Sequence, residues 1–94
     1  MSIAFTQYLR PFGRRQSVSI DVPAEVEALA SRLIAAGYVF EVEVLRTGHV
    51  SMDCSRPGDD EPVAHEVVEN GQNVPNAVAR LVHDAARCAL RATN

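Results

Sequence analysis

The sequence predicts an α+β domain in the order ββαβββα, with an antiparallel sheet of about five strands and two helices packed on one face. Three observations carry this reading. Four segments alternate apolar with polar residues, the period of a strand whose successive side chains face opposite ways, and Pro62 to Glu69 reads as a fifth strand. Two segments instead space their apolar residues by three and four, the period of a helix with one buried stripe. Each of these two opens at a proline, Pro23 and Pro75, a residue suited to the first helical turn because its missing N–H has no partner there anyway.

In chain order, Ile3, Phe5 and Leu9 keep strand parity, and Arg10-Pro11-Phe12-Gly13-Arg14 supplies turn residues. Val18, Ile20 and Val22 alternate with Ser17, Ser19 and Asp21, so the first two strands form a hairpin. After Pro23, Glu25 and Glu27 occupy a first turn favoured by the helix dipole. Val26, Leu29, Ala30, Leu33 and Ile34 make the stripe, and Gly37 follows as a C-terminal cap. Tyr38, Phe40, Val42 and Val44 then face one way, Glu41 and Glu43 the other. Past Thr47-Gly48, Val50, Met52 and Cys54 alternate with His49, Ser51 and Asp53, a hairpin around a glycine turn. Arg56 to Glu61 reads as a solvated loop, Pro62 to Glu69 as a fifth strand and Asn70 to Asn73 as a turn. The last helix carries Val78, Leu81, Val82, Ala85, Cys88 and Ala89 on its apolar side, and Arg80 with Asp84 at pairing distance on the wet side.

The chain has 94 residues, one domain spanning 1–94, with 47% hydrophobic and 22% charged residues. No apolar run approaches the roughly 18–20 residues of a membrane span, and the N-terminus lacks the basic start and apolar block of a signal peptide. A cytoplasmic location and no membrane partner are therefore expected. Cys54 and Cys88, far apart and without a CxxC spacing, are expected to be reduced core residues. The net charge of −3 disfavours a phosphate backbone as partner, so no direct nucleic-acid binding is expected. All nine basic residues are arginine, which suggests a GC-rich bacterium or an element that infects one.

A sheet covered by helices on one face leaves the other to solvent. The covered set is Phe5, Val18, Ile20, Phe40, Val42, Val44, Val50 and Met52. The open set is Ser17, Ser19, Asp21, Glu41, Glu43, Ser51 and Asp53, of which four are acids and none is basic. Asp21, Glu41, Glu43, Ser51 and Asp53 are thus the candidate partner-binding residues, and they predict a protein partner with a basic surface.

Other chemistry-bearing residues have simpler readings. His49 and Asp53 lie about 13 Å apart on one strand at ~3.3 Å per residue, too far to share a proton or a metal. His49 reads as the shoulder of its hairpin. His65 alternates with Val63 and Val67, and the opposite parity would bury Glu66, so His65 is expected to be a core or edge histidine with a hydrogen bond. His83 sits on the wet flank of the last helix. The hairpin tip, with Arg10, Arg14, Arg15 and Phe12, could grip a single strand of nucleic acid but also suits a charged turn that protects an edge. No phosphate loop, dinucleotide fingerprint or zincin motif is present, so no catalytic residue, metal or cofactor is expected.

At "YLRPFGR", "FEVEVLRTGHVSM" and "VAHEVVENG" the chain resembles small proteins encoded by bacteriophages and prophages, a group to which no activity attaches. The resemblance implies a mobile-element setting and no site residues. Together with size and acidity it gives the expected function: a non-enzymatic protein-binding module, in one form an anti-CRISPR inhibitor of a host nucleic-acid-binding complex. Two alternatives from other classes are a homodimeric structural protein, as against a monomeric binder, and a small metal-dependent enzyme using His49, Asp53 and His65.

Overall fold

The structure, a computed structural model, describes residues 2–9, 14–59, 61–69 and 73–93. Strands β1 (Ser2–Leu9) and β2 (Arg14–Asp21) come first, followed by helix α1 (Ala24–Ala35). Strands β3 (Val39–Val44), β4 (Val50–Ser55) and β5 (Pro62–Val68) follow, and helix α2 (Val74–Thr93) closes the order ββαβββα. The turn readings at Arg10 to Gly13 and at Asn70 to Gln72 lie outside the described residues.

The five strands form one sheet in the order β2-β1-β3-β4-β5. Three of the four pairings are antiparallel, as expected. The central one, β1 with β3, is parallel, with Thr6 opposite Glu41 and Tyr8 opposite Glu43. The sheet is therefore mixed where an all-antiparallel one is expected from alternation, because period two carries no information about strand direction. Placing α1 between β2 and β3 frees β3 from pairing with its predecessor in sequence, and it docks on the vacant side of β1.

Each helix is bounded by local chemistry. The Pro23 carbonyl accepts the N–H groups of Val26 and Glu27, each at 3.1 Å, and opens α1. At its end Gly37 takes φ 95°, its N–H donates to Ile34 O at 2.9 Å, and Tyr38 N–H donates to Leu33 O at 3.0 Å. These two bonds are a Schellman cap, which satisfies carbonyls the helix would otherwise orphan. Asn73, a turn residue in the sequence reading, in fact caps α2, its Oδ1 accepting Asn76 N–H at 3.4 Å.

Both helices lie on the sheet face that carries Ile3, Phe5, Phe40, Val42, Met52, Cys54, Ala64 and Val68, all buried. Val26, Ala30 and Leu33 of α1 and Ala77, Val78, Leu81, Val82 and Ala85 of α2 complete the core. Phe5 and Phe40, on neighbouring strands, hold their ring centroids 5.4 Å apart at a tilt of 52°, a favourable aromatic geometry. Two residues expected inside lie largely outside. Val44, 55% exposed, ends its ladder next to the turn, and Ile34, 43% exposed, lies in the last turn of α1. Parity places Val44 on the helix-covered face, but the end of the ladder runs past the cover.

Candidate functional site

Among the described residues nothing packs over the sheet face away from the helices, and the pairing registers fix which residues meet on it. Thr6 lies opposite Ser17 on one side and Glu41 on the other. Glu41 lies opposite Asp53, and Asp53 opposite His65. One row therefore crosses all five strands: Ser17, Thr6, Glu41, Asp53, His65. The next row also crosses all five strands, Arg15, Tyr8, Glu43, Ser51, Val67, so the open face expected to carry no basic residue has Arg15 in line with Glu43. On the other side Val39 lies opposite Ser55.

Four of the five expected partner-binding residues, Glu41, Glu43, Ser51 and Asp53, are thus adjacent on β3 and β4. Asp21 is not with them. It pairs with Ser2 at the far end of the edge strand, about 13 Å along β1 from Thr6 at ~3.3 Å per residue. Val39 and Val67, 44% and 48% exposed, flank the charged row on either side.

His65 does not face inward. It is half-exposed on the open face, where its Nδ1 meets Asp53 Oδ1. An ionised carboxylate only accepts, so Nδ1 carries the hydrogen and donates it. The residue turned toward the helices is Glu66, whose Oε2 lies 3.5 Å from Arg80 Nε of α2. The inward carboxylate keeps some contact with solvent and has a cationic partner within reach, so this parity does not bury an unpaired charge. Arg80 is consequently not the partner of Asp84, which pairs with Arg87 one turn further along α2.

His49 stays with its hairpin. Its backbone carbonyl accepts Leu45 N–H at 2.8 Å, and Gly48, at φ 89°, donates to Leu45 O at 2.9 Å. The imidazole Nδ1 lies 2.7 Å from Thr47 Oγ1. The proposed trio of His49, Asp53 and His65 is therefore not assembled: two members meet and the third is engaged at the turn. Among the described residues no three His, Cys, Asp or Glu side chains are disposed to hold a metal ion. Ser51 precedes Asp53 by two residues on the same strand, about 6.5 Å along it, beyond the reach a nucleophile needs from its base. The Asp53–His65 pair can hold and orient a proton.

No protein family, no curated protein and no solved structure matches this chain.

The cysteines are both free thiols; Cys54 is buried in the core, whereas Cys88, also expected there, is only half-buried. Burial first, and the neighbouring Cys88 second, push the Cys54 thiol up to about 12. The Cys88 thiol is directed at the Val63 carbonyl at 3.5 Å. Of the arginine-rich hairpin tip, Arg10, Pro11, Phe12 and Gly13 lie outside the described residues. His83 is exposed on α2, as expected.

Sequence reasoning misses the Asp53–His65 contact because Val63, His65 and Val67 and the opposite set Ala64, Glu66 and Val68 each offer two apolar residues. The deciding signal is Arg80, which α2 places over the inward side of β5.

Proposed function

We propose that this chain is a non-enzymatic binding module whose open sheet face receives a basic surface of a protein partner. The supporting observation is the side-by-side placement of Glu41, Glu43 and Asp53 on adjacent strands of the sheet face away from the helices. Glu41 and Asp53 stand directly opposite each other, an arrangement of like charges that destabilises a sheet. His65 offsets part of this by meeting Asp53 from the far side. Sequences tend to keep such local conflicts where function requires them. The valines at 39 and 67 would supply apolar contact at either side of the acids, while the acids set orientation and association rate.

The more specific form of the proposal is inhibition of a host nucleic-acid-binding complex in the manner of an anti-CRISPR protein. An acidic face suits the phosphate-binding surface of such a complex, because that surface is basic. This form rests on the phage-protein resemblance, and no match speaks for that setting.

Affinity capture from a bacterial lysate with the wild type and a Glu41→Lys, Glu43→Lys variant tests the reading. The expected result is a partner held by the wild type, released by rising salt and absent from the variant. A partner held equally by both proteins, with no dependence on salt, would remove the acidic face from the account.

A further inference from the structure

The two edges of the sheet are built differently. The β5 edge begins at Pro62, its pairing with β4 slips at Cys54/Ser55, and it points Glu66 inward beneath α2. Proline, irregular register and an inward charge are the devices that stop an edge strand from pairing with another chain. The β2 edge has neither proline nor slipped register, and its one charged residue of inner parity, Arg14, stands at the very start of the strand. Its eight residues pair with β1 in unbroken register from Arg14 to Asp21, without proline, glycine or bulge. Neither helix makes an extended contact with β2, and its inner side chains Val18 and Ile20 are only half-buried.

An antiparallel partner strand must place side chains that face the same way opposite each other, so residues of equal parity pair. The sequence of β2 is self-complementary under that restriction. With Val18 on a two-fold axis, Ser17 meets Ser19, Gln16 meets Ile20, and Arg15 meets Asp21 at both ends. Neighbouring registers of the same parity lose this charge match. Arg15 already has an interaction within its own copy, and a guanidinium with five N–H donors can serve both partners.

We propose that the chain forms a two-fold dimer in which β2 pairs antiparallel with β2 of a second copy, Val18 opposite the partner's Val18 and Arg15 opposite the partner's Asp21. The sheets merge into one of ten strands with all four helices on the same face. Val18 and Ile20 of both copies then floor the trough between the two helical layers. This interface does not use the row from Glu41 to His65, so it goes beyond the binding reading and stands or falls independently of it.

Light scattering on the eluting protein gives the first test, with an expected mass of twice 10.2 kDa. Val18→Lys sets two ammonium groups against each other at the axis and should raise the dimer dissociation constant at least tenfold. Because Val18 also touches its own core, a second measurement fixes the register. In a Cys88→Ala background, Val18→Cys should be joined to its copy by a short bifunctional maleimide. Asp21→Cys should not, because the two positions 21 lie about 20 Å apart in this register at ~3.3 Å per residue. A wild type that stays at 10.2 kDa, or a dimer that cross-links through position 21 and not 18, overturns the proposal.

Discussion

The Cys54 thiol sits with no solvent exposure on the inner side of β4, beside Cys88 and opposite Ala64. Its thiolate is disfavoured, so its titration moves from 9.0 to about 12. A folded-state value above the unfolded one means stability that is complete below pH 9 and drains away as pH rises toward 12. Thermal melts across this alkaline window should therefore fall more steeply for the wild type than for Cys54→Val, and equal slopes would contradict the burial argument. The residue scale is also where sequence and structure diverge most. That Cys54 is core filler follows from its parity with Val50 and Met52. That His65 joins Asp53 does not follow, because the choice depends on Arg80 arriving from α2 to meet Glu66.

Between α1 and β3 the chain turns on Gly37, which has two independent reasons to lack a side chain. Its φ of 95° is strained for any L-residue by about 1–2 kcal/mol, and a Cβ there would approach Pro57 Cγ to 2.8 Å. Gly58 has a similar φ of 73° with open space around it. Gly37→Ala should therefore lower the unfolding free energy by more than Gly58→Ala in denaturant titrations, the difference reporting the Pro57 contact. Equal losses would show that the loop moves aside freely. Helices were legible at this scale because prolines, glycines and the three-four spacing are local signals. The hairpin around Thr47-Gly48 was legible for the same reason. Strand direction was not: nothing between Asp21 and Val39 states that β3 runs alongside β1 rather than against it.

At the scale of the whole molecule, a sheet covered on one side leaves a broad surface whose composition the sequence reveals and whose geometry it does not. Alternation alone identifies Glu41, Glu43, Ser51 and Asp53 as companions. Only the registers separate Asp21 from them and add His65 and the two exposed valines. The parallel pairing of β1 with β3 has a further consequence, for the time course of folding. Thr6 and Glu41 meet across thirty-five positions of chain, whereas β3, β4 and β5 are successive neighbours joined by short turns, and α2 follows them directly. Closing the longer loop is entropically slower than zipping the local meander. The C-terminal half should thus form the folding nucleus, with the β1–β2 hairpin docking after the rate-limiting step. Chevron analysis at dilutions where refolding is first-order can check this. Val68→Ala should chiefly slow refolding and Phe5→Ala chiefly speed unfolding; the reverse pattern would place the nucleus at the N-terminus. A newly made chain would then hold its first two strands in waiting until most of its length has left the ribosome.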